Sequence, residues 1–467
     1  MKRRGHSPTT RTYQTMFNGL ARIDDFKAYN QQLKNAMLLY DSFIRHLKSV
    51  QRINPTDPDL SVNPLASYIK ILGNADCYGQ VYEVLYSLDS EGPLPPNQLI
   101  YTSIFHVLAS RPTADTPTFR RADTRTLWVQ VVKTSKKNPN FVIDTPLVTA
   151  AIFALARGQT VDHDIGFQIA RDFFGLGSPG AQSVASPLAL SSQALSAVLR
   201  LCNASSNFDL CISFFTEVKR RPPKIGGVDI VDRLHVEEVL RAHQAMNVAT
   251  SGYQSLQILE WALRQGSQSS KEKINLQMST FHLVLKTCWH SADWGSAIRT
   301  FDLMTGFHSH DFMDGAVKEQ PRLDQCRRGR SPTAETMSSL VRTAYATRNC
   351  ANIRQCLRMV DYLDLGTLLS QAPGNPEGPT VVKNQQFYAV KLAQGLAEMI
   401  DYVLAGKRGQ KFPADSERWK TLLERAKTEL RLSGEAVLVP TLQRNVSPLV
   451  INNRENQTGG MHINPLT

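Results

Sequence analysis

The chain has 467 residues, 42% of them hydrophobic and 20% charged, with a formal charge of +12. That length exceeds one small core, that composition excludes a disordered chain, and no run of about 18 apolar residues is present to span a bilayer. An excess of 53 basic over 41 acidic side chains favours an anionic partner, nucleic acid before membrane surface.

From the N-terminal end onward, apolar residues recur with helical spacing. Tyr13 leads Met16, Phe17 and Leu20. Leu65 leads Tyr68, Ile69 and Leu72, and a second helix follows in Val81, Leu85 and Leu88. Tyr101 leads Ile104, Phe105 and Leu108, and Val148 leads Ala151, Ile152 and Leu155. After Tyr13, Tyr101 and Val148 the second helix is displaced by inserted residues. Ala194 leads Ala197, Val198 and Leu201, then Leu210 and Phe214, but the charged Glu217 stands where a last apolar residue belongs. Weaker copies lie near 233–264 and 387–405. Phe281 leads Val284, Leu285 and Cys288, then Ala297, Phe301 and Met304, with a turn between them around Ser291, Asp293 and Gly295. Met337 leads Leu340, Val341 and Ala344, then Ile353, Leu357 and Val360, without a gap.

A lone helix hairpin cannot cover its own apolar face, whereas stacked copies bury one continuous seam. The spacing therefore predicts an all-α chain, an α-solenoid of tandem helix-turn-helix units over residues 1–370. Residues 371–383, rich in Pro and Gly, read as a linker. Phe387–Leu404 and Ser416–Leu432 read as helices within a C-terminal segment, 384–432, and residues 433–467 as an irregular tail. Seven cysteines, with no Cys-x-x-Cys pair, read as small core residues of a reducing compartment, without structural zinc.

Several segments resemble the pentatricopeptide repeat family. The run Thr12-Tyr13-Gln14-Thr15-Met16-Phe17-Asn18-Gly19-Leu20 looks like that family's first helix. So does Ile100-Tyr101-Thr102-Ser103-Ile104 after Pro95-Pro96-Asn97, and Gly295 to Met304 looks like its second helix. The 36 residues from Leu65 to Tyr101 are close to the family's period, and the longer intervals elsewhere require insertions. The rival tetratricopeptide repeat wants Trp and Leu-Gly in the first helix and a closing Pro, a set not found here. Met1 to Thr9 looks like the close of a repeat, which implies a start within the array and a longer precursor. An unusual but genuine start is the alternative.

The resemblance implies a right-handed superhelix whose repeats each face one base of single-stranded RNA. The residue after each leading position would face the base: Gln14, Ala66, Thr102, Thr149, His282 and Ser338. Its partner would stand four residues before the next leading position, at Ser61, Asn97, Asp144 and Thr333. Thr102 with Asp144 is the pair most like the family's code and implies guanine. Phosphates would be met by Lys2, Arg3 and Arg4, by Lys133, Lys136 and Lys137, by Lys219, Arg220 and Arg221, by Arg327, Arg328 and Arg330, and by Lys407 and Arg408. The family also implies a mitochondrial address, a role in transcript stability, processing, splicing or translation, and organellar gene-expression proteins, mitoribosomal ones among them, as partners. A protein-binding scaffold without RNA readout is the competing class.

No cofactor or catalytic set is expected. Gly175, Gly177 and Gly180 fit G-x-G-x-x-G, but a helix precedes them where a dinucleotide site needs a strand. His308, His310 and Asp311 lie in an inserted loop without a fourth ligand. Asn203, Asn445 and Asn456 match glycosylation sequons, incidental in a reducing compartment.

Overall fold

The computed structural model describes residues 8–88, 94–110, 117–177, 186–268, 274–316, 330–370, 379–405 and 413–432. Among them every regular element is a helix, in a helical-repeat-like, all-α architecture. The chain divides into two compact units, Met1–Ser291 and Ala292–Thr467. The Phe281 copy straddles that division, so its two helices belong to different units.

The first unit contains α1 (Thr10–Leu20), α2 (Asn30–Ile53), α3 (Asn63–Asn74), α4 (Tyr78–Ser87), α5 (Gln98–Ser110), α6 (Pro117–Lys137) and α7 (Thr145–Leu155). It continues with α8 (Thr160–Phe174), α9 (Ser192–Ala204), α10 (Phe208–Arg220), α11 (Arg233–Met246), α12 (Ser251–Gln268) and α13 (Met278–Ser291). Each odd helix pairs with the even helix after it, from α1 with α2 to α11 with α12. Each odd helix also lies on the next odd helix, from α1 on α3 to α11 on α13. Leading residues make these seams: Leu65, Tyr101, Val148 and Phe281 are fully buried, as are Ile69, Ile104, Ile152 and Leu285. Each such side chain contributes about 1.5–3 kcal/mol of transfer free energy.

The packing corrects one register. In α9 the repeat is led by Leu195, not Ala194. From Leu195 the template gives Val198, Leu199 and Cys202, then Cys211, Phe215 and Val218, all buried. Glu217 then falls outside the template's apolar positions. The backbone agrees: a non-glycine residue of positive φ stands eleven residues after the leading position at Asp76, Ser206, Asn247, Ala292 and Arg348. In two of these turns the same bonds recur, Cys77 N–H to Leu72 C=O and Asn207 N–H to Cys202 C=O, each 2.9 Å, closing the helix end in the Schellman manner. That register also places a full copy on α11 and α12, led by Val236 and continued by Val239, Leu240 and His243, then Gly252, Leu256 and Leu259.

Insertions sit in the even helices and in the segments that follow them, as between α10 (ending at Arg220) and α11 (beginning at Arg233). On α6, Leu127 and Val131 are buried, where an ungapped copy would use residues 117 and 121. The odd helices keep 11 to 14 residues, whereas α2 has 24 and α6 has 21.

The second unit holds α14 (Trp294–Thr305), α15 (Ala334–Ala346), α16 (Cys350–Leu363), α17 (Leu365–Ser370), α18 (Pro379–Ala405) and α19 (Pro413–Leu432). The last two extend the helices expected over 387–404 and 416–432. Helix α18 lies on α15 and pairs with α19, continuing the neighbour pattern. Trp294 Nε1 donates to Gln355 Oε1 at 2.9 Å, and Gln355 Nε2 to Ser309 C=O at 2.9 Å, fixing the loop after α14 against α16.

Candidate nucleic-acid interface

The expected base-facing residues all lie on odd helices, but in different environments. Gln14, Ala66, Thr102 and His282 are half-buried, whereas Thr149 and Ser338 are 5% and 2% exposed. Thr102 and Thr149 each return their hydroxyl to the carbonyl four residues back, Gln98 and Thr145, at 2.7 Å. Gln14 Nε2 donates to Asn18 Oδ1 at 2.8 Å and to Ser67 Oγ at 3.1 Å on the next odd helix. In the α11 copy the corresponding residue is Glu237, only 4% exposed.

The expected partner residues stand at helix starts. Asp144 accepts from Leu147 N–H at 3.0 Å and Thr333 from Thr336 N–H at 3.3 Å, as N-caps of α7 and α15. Asn97 accepts from Ile100 N–H at 3.2 Å, and its amide reaches Asn63 Oδ1 at 2.7 Å. Ser61 accepts from Asn63 N–H at 3.3 Å just before α3. A helix start selects Ser, Thr, Asp or Asn for its own capping, so capping accounts for Asn97, Asp144 and Thr333 independently of base recognition, whereas Ser61 precedes Val62, the N-cap of α3.

The basic clusters divide. Lys133, Lys136 and Lys137 are exposed near the end of α6, and Arg220 is exposed at the end of α10. Lys219 lies 4.7 Å above the Trp261 ring, and burial, then the Arg220 charge, holds its pKa below the usual lysine value. Arg221 has an 11% exposed side chain and donates to Phe174 C=O and Gly175 C=O at 3.0 and 2.9 Å and to Glu217. Its guanidinium thus closes the C-terminal end of α8. Lys2, Arg3, Arg4, Arg327, Arg328, Lys407 and Arg408 lie outside the described residues.

A further set emerges only from the packing. Five residues after each leading position of the first unit stand Asn18, Lys70, His106, Phe153, Arg200, Arg241 and Lys286. All but the half-buried Phe153 are exposed. Contacts tie this position to neighbouring odd helices. The Arg200 guanidinium lies 5.6 Å from the Phe153 ring centre, and Ser67 Oγ donates to Asn18 Oδ1 at 2.6 Å. The stacked odd helices therefore carry a row that is basic at Lys70, Arg200, Arg241 and Lys286. His106 is exposed, yet the helices around it withdraw enough water to hold its pKa below the usual histidine value. Only the template's register exposes this row, because its members are too far apart in sequence to form a visible charge run. In the second unit the position holds Arg342 on α15, half-buried, with Tyr388 and Glu398 of α18 acting on its charge.

Other candidate chemistry is sparse. Gly175 has φ 64° and ends α8 in the left-handed conformation, which explains one glycine of the G-x-G-x-x-G string; Gly180 lies outside the described residues. A cleft of about 740 Å³ beside it has Asp164, Arg171 and Asp209 on its walls, a mixed-sign lining. Among the described residues no three His, Cys, Asp or Glu side chains gather as for a metal ion, and no helix is long and apolar enough to cross a membrane. No family model matches the chain, and no curated protein matches it significantly.

Proposed function

We propose that this chain is an RNA-binding helical-repeat protein of the pentatricopeptide type, its odd helices lining the inner face of a right-handed superhelix that holds single-stranded RNA. The row of Lys70, Arg200, Arg241 and Lys286 on successive stacked helices carries the reading, since repeated cations at one template position suit a repeating polyanion. Affinity comes mainly from phosphate contacts. The burial of Thr149, Ser338 and Glu237 leaves base readout to few repeats, Thr102 with Asp144 foremost. The mitochondrial setting and the role in transcript stability, processing, splicing or translation follow from the family resemblance. The same burial favours the second reading, a protein-binding scaffold, because it withdraws side chains that a base would need.

Fluorescence anisotropy of the full chain with a labelled single-stranded RNA, titrated with salt, tests the proposal. Replacing Lys70 and Lys286 with Gln should weaken binding and flatten the plot of log affinity against log salt by about 0.7 for each phosphate left without its cation. A wild-type slope near zero overturns the RNA reading. A stable protein partner recovered without RNA would then establish the scaffold.

A further inference from the structure

Within the basic row, Arg200 and Arg241 differ from the lysines in pairing with one buried carboxylate. Both approach one carboxylate oxygen: Arg241 Nη1 stands 2.8 Å and Arg200 Nε 3.4 Å from Glu238 Oε1. Glu238 is 7% exposed, and its other oxygen accepts from Asn203 Nδ2 at 2.8 Å. Glu237 beside it receives Arg233 Nη1 at 2.7 Å, Thr280 Oγ1 at 2.9 Å and, more loosely, Arg241 Nη2 at 3.6 Å. Two buried carboxylates are thus matched by three guanidinium groups across α9 and α11. Buried carboxylates persist only when so compensated. Here the compensation has a second effect, because it fixes long side chains that would otherwise move freely in solvent.

The fixed arginines keep their outer faces in water. The Arg200 and Arg241 side chains are 51% and 47% exposed. Arg200 meets Glu238 through Nε, at one edge of its guanidinium. Two guanidinium groups that share one carboxylate oxygen stand close enough to grip one tetrahedral anion. The planar fork of Arg200 matches phosphate oxygens in a way that a lysine ammonium cannot, and Arg241, whose terminal nitrogens face Glu238 and Glu237, adds its remaining N–H groups and its charge beside it. The Phe153 ring, 5.6 Å from the Arg200 guanidinium, lies on α7, the odd helix before α9.

We propose that Arg200 and Arg241, held by Glu238, form a clamp for a single phosphodiester group, with Phe153 offering a stacking surface to an adjoining base. The clamp rests on the RNA reading and sharpens it: one preorganised contact on α9 and α11 among simple charge contacts elsewhere in the row. A phosphodiester bound there replaces water on the arginines without a further side chain having to be ordered, which is the source of its advantage over Lys70 or Lys286.

Anisotropy of the full chain with labelled oligouridylate RNA, with thermal melting as the check on folding, provides the test. The double variant R200K/R241K keeps both charges and loses the Arg200 fork and the planar Arg241 group that Glu238 and Glu237 hold beside it. It should bind roughly tenfold more weakly, the equivalent of about one charged hydrogen bond, with the salt slope unchanged. R200Q and R241Q should each remove most of the interaction. Together they should lower the slope by only about 0.7, the value for one phosphate on a single strand. Wild-type affinity in R200K/R241K overturns the clamp and leaves the RNA reading standing, as does a slope decrease of about 1.4 in the double Gln variant, which would mean two independent phosphates. Absence of salt-dependent binding by the wild type overturns both. If the Gln variants fail to fold, the Lys variant alone decides.

Discussion

His243 occupies the template position that Leu72, Cys202 and Cys288 fill in their own helices, and it is 3% exposed. Burial pushes its pKa from 6.5 down to about 4, against a weaker opposing pull from Asp209. A base whose folded pKa lies below its unfolded one is protonated mainly in the unfolded chain between the two values. Stability is therefore full above about pH 6.5 and falls as pH drops toward 4, by about 3 kcal/mol over the whole interval. His243→Leu should abolish that part of the decline. Denaturant midpoints between pH 7.5 and 4.5 check it, and parallel curves for variant and wild type would refute it. The residue also illustrates what hid a repeat: a histidine where Leu or Cys was expected and a Gly252 at the head of the second helix left the α11–α12 copy faint, although its spacing is ungapped. The basic row was hidden by the opposite circumstance, since each member is an ordinary surface charge until its neighbours' helices are aligned.

At the level of the hairpin, the left-handed turn residue is the most regular device in the chain. It falls on Asp76, Ser206, Asn247, Ala292 and Arg348, with φ between 50° and 59°. Asn and Asp adopt this conformation readily, whereas Ala lacks a side chain that could bond locally to offset the clash of its Cβ. Ala292→Gly should therefore stabilise the protein by about 1 kcal/mol, measured as a shift in the chemical denaturation midpoint; an unchanged or lower midpoint would contradict it. The helix pairs themselves were legible because apolar spacing dictates which face is buried. The register of α9 was not, because Ala194, Ala197, Val198 and Leu201 lie beside Leu195, Leu199 and Cys202, and both rows are buried. A helix covered on most sides loses the polar face that would fix its phase. The second helices displaced after Tyr101 and Val148 were expected, but the length and placement of α6 required its packing against α5.

For the first unit as a whole, stability is carried by contacts between neighbours, so damage should remain local. Gly73 on α3 faces α5 so closely that a Cβ there would meet the Val107 methyl carbons at 2.5 and 2.9 Å. Valine is stiff and this one is buried, so Gly73→Ala should cost about 1–3 kcal/mol in overpacking, exceeding the roughly 1 kcal/mol that alanine gains in helix propensity. Hydrogen exchange should show faster opening in α3 and α5 while α15 and α16 keep wild-type protection; uniform loss across the chain would rule out the neighbour-only picture. Keeping insertions out of the odd helices has a consequence for what the front of the array can measure. Neighbouring packed helices stand about 8–10 Å apart whatever lies behind them, while nucleotides in a stacked strand advance about 3.4 Å each. One nucleotide per rung therefore requires a strand drawn well beyond its stacked length, its bases parted, which a duplex does not allow. On the RNA reading, pitch alone makes the row a gauge for unpaired RNA, before any base is read.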